Sequence, residues 1–354
     1  MTIFDTIKTH FDQQIPFVVY RKPNENTLVG FFQKSKELFL IEDFSASGFV
    51  FSPFDNREFS VLIPAKESDF IQEELVLEPI NFSESSNFLT ESDSKTDHLL
   101  LVQKAILEIQ KKNFQKVVVS RKETQPLANF ELVNTYKKLL LTYPNAFGYL
   151  WYHPKVGLWM GATPETLLTI SDGYFETMSL AGTQVNRGIE QVQWQAKELE
   201  EQQLVTTSIS DQINEITSNL KIDETETVSA GNLLHLRTKI SGELIDKTAS
   251  LKTLINALHP TPAVCGLPRL ETKKFILENE HYHRSFYTGY MGELNMKTST
   301  STIEKSALYV NLRCMEIQQN NAILYIGGGI TKDSNAEKEW DETVLKSKVM
   351  KVIL

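Results

Sequence analysis

Short apolar runs broken by turn residues dominate the first eighty positions. The segments PFVVYR, LVGFFQ, ELFLIEDF, GFVFSPF and FSVLIPA, between Pro16 and Ala65, are rich in β-branched and aromatic residues and are separated by Asn, Gly, Ser and Pro. That pattern predicts strands. From Asn81 to His98 the chain reads NFSESSNFLTESDSKTDH, too polar to order itself alone, and is expected to be a linker or surface crossing. From His98 to Lys112 the residues Leu99, Leu100, Val102, Ala105, Ile106 and Ile109 fall at roughly helical spacing, which predicts an amphipathic helix packed on a sheet. The strand KVVVSR follows at once.

Further strands are predicted for FGYLWY, GLWMGA, TLLTI and FETMSLAG, within 147–182. A long helix is expected from about Gln191 to Leu220, because Leu204, Val205, Ile209, Ile213, Ile216 and Leu220 recur at intervals of three and four. Another helix, about 248–258, precedes the turn-rich HPTPAVCGLPR. SFYTGYMGEL and ALYVNLRCMEI read as strands on either side of a long hairpin loop over 295–306. A third strand, AILYIGGG, leads into a terminal helix near Ser334, where Ser334 and Glu337 fit the S-x-x-E capping box. Helices interrupting antiparallel-looking strands argue for an α+β fold rather than a doubly wound sheet.

Composition narrows the class. With 354 residues, 41% hydrophobic and 23% charged, and only 12 prolines and 16 glycines, the chain is globular, and disorder and collagen are excluded. Thirty-six basic against 45 acidic residues leave a net charge of −9, with no Lys/Arg run dense enough to track phosphates, so nucleic acid is not an expected partner. Cys265 and Cys314 form neither a disulfide framework nor a C-x-x-C pair, which points to a reducing cytoplasm. No window approaches the roughly 18 uninterrupted apolar residues of a membrane span, and the opening residues lack an export signal's basic and apolar regions. A cytoplasmic monomer is the expectation.

Some charges sit against their expected faces. Glu201 stands three and four positions before Leu204 and Val205 and so points along the buried stripe of its helix. In the terminal helix Glu339, Glu342 and Lys346 share a line that continues through Val349 and Ile353. A solvated helix end accounts for either case alone. Together, inward carboxylates from two helices are costly unless a cation meets them, and hard oxygen ligands suit Mg²⁺. The three glycines of YIGGGI let backbone approach a ligand and aim N–H groups at an anion, although a tight structural turn explains them equally well. Arg313, in the apolar VNLRC, is expected to face a carboxylate of the protein or of a ligand. Lys116 and Glu165 lie at strand ends, where such residues are ordinarily solvated. His235 and His259 fit satisfied structural groups better than metal ligands, and His281 and His283 have no third ligand in view. With no Walker loop, G-x-S-x-G, H-E-x-x-H or Cys/His dyad, hydrolase chemistry has no foothold.

The segments GATPETLL, MSLAGT, KELEEQQLV, HLRTKISGEL, LHPTPAVCGLPR, RSFYTGYMGEL, NLRC and GGGITKDSNAEKEWDETVLK occur in the order and approximate spacing of the chorismate-utilising enzymes. That family includes isochorismate, salicylate, anthranilate and aminodeoxychorismate synthases, and the chain resembles it from about residue 95 to 354. LHPTPAVCG is similar to the isochorismate and salicylate branch, and Lys116 matches the lysine that activates water there. The resemblance implies a four-layer α/β/β/α chorismate-binding fold with two packed, largely antiparallel sheets, to which residues 1–94 contribute strands ending in the polar linker. It implies Glu165 as general acid, Glu201, Glu339 and Glu342 as Mg²⁺ ligands, and Arg313, Lys346, Gly328 and Gly329 as holders of the enolpyruvyl carboxylate. Gly182, Thr183, His235 and Ala263 would shape the pocket wall.

The implied activity is isochorismate synthase, adding water at C2 of chorismate and losing the 4-hydroxyl, for menaquinone or siderophore biosynthesis. It needs a neutral Lys116, which burial and a nearby Mg²⁺ favour, and a protonated Glu165, which an apolar surround favours. Gln184, Gln202 and GGG depart from the family's usual Arg, His and G-A-G, without removing a proposed catalytic group. Salicylate synthase, which continues by eliminating pyruvate, and a catalytically silent chorismate-binding subunit are the alternatives; anthranilate synthase is more distant.

Overall fold

The computed structural model describes residues 2–77, 92–186, 192–230, 233–245, 251–298 and 301–354. Helix α1 (Ile3–Asp12) opens the chain under a reciprocal capping box of Thr2 and Asp5. It is followed by β1 (Phe17–Arg21), β2 (Thr27–Gln33), β3 (Phe39–Ile41), β4 (Gly48–Ser52), β5 (Ser60–Pro64) and β6 (Ser68–Glu74). Then come α2 (Ser92–Gln110), β7 (Lys116–Pro126), α3 (Leu132–Thr142), β8 (Phe147–His153), β9 (Gly157–Thr163), β10 (Thr166–Ser171) and β11 (Tyr174–Val185). Helix α4 (Ala196–Ile213) precedes β12 (Thr217–Ile222), β13 (Glu226–Ala230) and β14 (Leu233–Leu244). The last third holds α5 (Leu251–Leu258), β15 (Gly266–Leu267), α6 (Arg269–Asn279), β16 (Tyr290–Thr298), β17 (Ser301–Val310), β18 (Cys314–Gln318), β19 (Asn321–Ile330) and α7 (Ala336–Lys351).

The strands form two antiparallel sheets. One runs β15-β7-β19-β18-β9-β8-β1-β2-β6 and the other β12-β14-β11-β10-β17-β16-β4-β5-β3, with β13 added on β14. Each carries helices on its outer face, so the architecture is α/β/β/α. The layering explains why central strands lack polar alternation. In β1, Phe17 and Val19 pack outward with α1, α3 and α7, while Val18 and Tyr20 point between the sheets, and all five residues are buried. The inter-sheet layer is aromatic: Phe51 lies 4.1 Å from Phe286 in a stack and 5.0 Å from Trp151, with Trp159 at 5.9 Å. On the second sheet's outer face, Val205, Ile209 and Ile213 of α4 pack with Leu254, Ile255 and Leu258 of α5. No described helix is long and apolar enough to cross a membrane.

Several sequence expectations are corrected. Helix α2 begins at Ser92, so Ser92–His98 is helical rather than linker; residues 81–91 of that stretch lie outside the described residues. Lys95 pairs with Glu337 at the start of α7 at 2.8 Å, and buried His98 lies against Trp340. Tertiary contacts therefore order a polar turn, and His98, Val102, Ala105 and Ile109 form the buried stripe while Leu100 is 60% exposed. The helix expected to reach Leu220 stops at Ile213, where the Thr217 hydroxyl donates to the Ile213 carbonyl at 2.8 Å. Ile216, in the turn after α4, and Leu220, in β12, still pack on α4's core cluster, which is why the spacing misled. The supposed loop over 295–306 continues the β16–β17 ladder to Thr298↔Ser301, with residues 299–300 outside the described set. VNLRC is no single strand: β17 and β18 belong to different sheets, and the chain crosses at Asn311–Arg313. The glycines of β19 lie inside its ladder rather than in a turn, Gly327 to Gly329 opposite Ser120 to Val118. The last helix is capped by Asn335, which accepts from the Lys338 N–H at 3.1 Å; the Ser334 hydroxyl accepts from the Thr331 N–H instead.

Phe51→Ala, which empties the centre of the aromatic layer, is expected to cost about 3–5 kcal/mol, measured as the fall in unfolding free energy in urea.

Candidate active site

One cavity of about 160 Å³ opens where the β7–β19 end of the first sheet faces the β11–β14 end of the second, closed by α4 and α7. Lys116, Glu165, Gly182, Thr183, Glu201, His235, Ala263, Arg313, Gly328, Gly329, Glu339, Glu342 and Lys346 all line it. Residues scattered over 231 positions thus meet because the sheet ends meet. A Cβ at Gly329 would come within 3.0 Å of both Glu201 Oε1 and Lys116 Cε. The missing side chain lets α4 and β7 bring those groups together over the backbone.

Lys116 is 1% exposed, and its Nζ donates to Glu201 Oε1 at 2.7 Å. On α7, Lys346 Nζ pairs with Glu342 Oε1 one turn earlier at 2.7 Å and donates to the Gly327 carbonyl at 3.1 Å. Glu339 is buried one turn nearer the helix start. Glu165, on the crossing between β9 and β10, is 3% exposed, and burial pushes its carboxyl up to about 8 against the opposing pull of Lys116, Thr261 and Arg313. The carboxyl is therefore mostly protonated at neutral pH.

The guanidinium of Arg313 has a defined support. Its Nη2 lies 2.6 Å from His235 Nε2, and His235 Nδ1 lies 2.9 Å from the Gly182 carbonyl. A carbonyl only accepts and a guanidinium only donates, so His235 is neutral, with its proton on Nδ1. Burial, then the Arg313 charge, lowers this ring to about 3. Gly182 sits at φ +67° within a register shift between Ala181 and Gln184, which turns its carbonyl toward the ring at a backbone angle glycine adopts freely. Arg313 itself has φ +47°, uncommon for a residue other than glycine, at the crossover between the sheets. Burial lowers its guanidinium to about 10, leaving it charged at neutral pH.

Glu201, Glu339 and Glu342 offer only hard oxygen donors, the right chemistry for a divalent cation such as Mg²⁺. Among the described residues, no three His, Cys, Asp or Glu side chains converge to enclose a metal. Glu201 and Glu342 instead each hold a lysine.

Sequence reasoning missed Glu198, Tyr287 and Thr288 in the lining and Thr261, whose hydroxyl lies 3.5 Å from Glu165 Oε1. Glu198 was recoverable, since it precedes Glu201 by three and shares its helix face. Gln202 points away from the cavity: its amide donates to the Ser179 carbonyl and hydroxyl and to the Thr238 hydroxyl, fastening α4 to β11 and β14 beside Glu201. Gln184 donates to the Gln193 carbonyl at 3.1 Å.

A family model described as chorismate binding enzyme matches residues 61–354. The chain belongs to the chorismate binding enzymes. It is 30% identical over 200 residues to isochorismate synthase DhbC of Bacillus subtilis, a match covering 54% of this chain and 49% of the relative. It is 29% identical over 262 residues to the salicylate biosynthesis isochorismate synthase of Pseudomonas aeruginosa, covering 72% and 53%. The chain thus spans about half the length of the curated relatives it matches. The solved structure of MenF, the menaquinone-specific isochorismate synthase of Escherichia coli, superposes with a TM-score of 0.82 over 100% of this chain and 91% of that one, at 20% identity. At that identity the likeness establishes the chorismate-binding fold, the four-layer architecture described above.

The Glu165 carboxyl yields a thermodynamic signature. Its folded value of about 8 stands above the ordinary 4.5, so between these values the native state holds a proton that the unfolded chain has lost, and stability falls as pH rises. Glu165→Gln is expected to raise Tm relative to the parent by a margin that grows from about pH 5 to pH 8; a margin independent of pH means an ionised carboxylate at neutral pH.

Proposed function

We propose that the chain is an isochorismate synthase that takes chorismate and Mg²⁺, adds water at C2, expels the 4-hydroxyl and shifts the ring double bonds. The reading is supported above all by the placement of a buried lysine, Lys116, and a buried protonated carboxyl, Glu165, on the wall of one cavity. Water enters and water leaves, so the reaction needs one group to take a proton and another to give one. Glu165 donates its proton to the departing 4-hydroxyl. Lys116 takes the proton of the incoming water, and for that its amine must be neutral and turned from Glu201. Each such group contributes about 10²–10⁴-fold.

Arg313, braced by neutral His235, and Lys346 hold the enolpyruvyl carboxylate, together with the backbone of Gly328 and Gly329, which line the same cavity. Gly182, Thr183 and Ala263 shape the wall around the ring. Glu201, Glu339 and Glu342 would hold Mg²⁺, which supplies positive charge to fix the ring carboxylate and offset charge on the leaving group. The product feeds menaquinone or siderophore biosynthesis.

Incubation of the purified chain with chorismate and Mg²⁺ is expected to yield isochorismate, resolved by chromatography, and EDTA is expected to stop it. Fluorescent salicylate as the product would mean that pyruvate elimination follows; unconsumed chorismate would mean a silent binding subunit. Lys116→Ala is expected to lower kcat by about 10²–10⁴-fold while calorimetric chorismate binding persists. Undiminished turnover in that variant removes Lys116 from the mechanism.

A further inference from the structure

Strand β7 loses its neighbour on one edge almost as soon as it begins. Strand β15 is two residues long, pairing with Lys116 and Val117, and the Val118 N–H still reaches the Cys265 carbonyl at 2.9 Å. Past that point two side chains take over the ladder. Arg284 Nη2 donates to the Val118 carbonyl at 2.8 Å, and Glu280 Oε1 accepts from the Ser120 N–H at 2.7 Å. The two are bridged to each other, Nη2 to Oε1 at 2.6 Å and Nε to Oε2 at 2.7 Å. A guanidinium and a carboxylate therefore replace the N–H and C=O of an absent strand.

The same guanidinium reaches further. Its Nη1 donates to the Val264 carbonyl at 3.0 Å and lies 3.2 Å from the Thr288 hydroxyl. Val118, Val264 and Thr288 all line the cavity, and neither Arg284 nor Glu280 does. Both are buried, with the guanidinium 4.6 Å from the centre of the Phe54 ring. A buried ion pair is weak evidence for stability, because apolar residues of similar volume often do as well. Apolar residues cannot satisfy the Val118 and Val264 carbonyls, the Ser120 N–H and the Thr288 hydroxyl at once.

We propose that Glu280 and Arg284 are a positioning pair for the active site, fixing the strand that carries Lys116 against the Ala263–Val264 and Thr288 walls. The inference rests on the isochorismate synthase reading for its kinetic consequence. Arg284→Lys keeps the charge but cannot bridge Glu280, Val118, Val264 and Thr288 together. In that variant kcat with chorismate and Mg²⁺ is expected to fall about 10- to 100-fold with KM within about twofold, since a small misplacement of a reacting group costs rate rather than affinity. Amide hydrogen exchange at Ser120 is expected to quicken at least about tenfold. Tyr136→Phe, which deletes a buried hydroxyl donating to the Val19 carbonyl at 2.9 Å on the outer face, should change neither reading. If Arg284→Lys does not fold, the double variant Glu280→Gln/Arg284→Gln, which leaves no unpaired charge, replaces it. Parental kcat and parental Ser120 exchange in the folded variant overturn the proposal, as does a loss that Tyr136→Phe reproduces. A parent chain inactive on chorismate defeats the isochorismate synthase reading instead, and Ser120 exchange alone then decides the positioning role.

Discussion

The antiparallel ladder between β7 and β19 is the constraint on which the cavity depends. It sets Gly329 opposite Val118, two residues from Lys116, and continues through Gly328 and Gly327. A Cβ at Gly329 would press on both Glu201 Oε1 and Lys116 Cε at 3.0 Å, so the carboxylate and the lysine would have to shift apart over the strand. Glycine weakens a strand by entropy and by leaving nothing to pack. Here the long pairing of β19 with β7, from Asn321 to Ile330, compensates, and the thin backbone becomes part of the cavity wall.

Around that wall the charges are arranged so that few meet water or one another unpartnered. Lys116 rests on Glu201, Lys346 on Glu342, and Arg313 on the lone pair of a neutral histidine, while Glu165 avoids the cost of burial by keeping its proton. The last device is the most consequential. An ionised carboxylate at that depth would seek its counter-charge from Lys116 and Arg313, the residues that the proposed reaction assigns to water and to substrate. Keeping Glu165 neutral removes that competition and readies the proton for transfer.

The site was more legible than the path of the chain. Glu201, Glu339, Glu342 and Lys346 stood out because charge on an apolar helical stripe is visible as spacing alone, and Lys116 and Glu165 entered through family motifs, their positions being ordinary for solvated strand ends. What escaped was decided by tertiary contact. The register of the stripe cannot tell Ile216 in a helix from Ile216 after one when both orientations bury it in the same cluster. The apolar run through Leu312 and Arg313 hides a change of sheet, because crossing between two layers of one core requires no polar interruption. Ser92–His98 looked like linker because its order comes from Glu337 and Trp340, some 240 positions away. The Glu280–Arg284 pair looks on the page like two more charged residues near a helix end; only the early end of β15 reveals what it replaces.

The N-terminal strands are built into both sheets of the fold. Strands β1, β2 and β6 extend the first sheet past β8, and β4, β5 and β3 extend the second past β16, so the opening residues enter both layers. Without them β8 and β16 would become edges, and Trp151, Phe147 and Tyr149 would lose Val18, Tyr20, Phe49 and Phe51 from the layer they share. A wet aromatic layer would let solvent reach the sheet ends from behind, and the burial that keeps a carboxyl protonated at Glu165 is the property most sensitive to such water. Residues that contribute no side chain to the cavity thus maintain the low dielectric in which its chemistry operates.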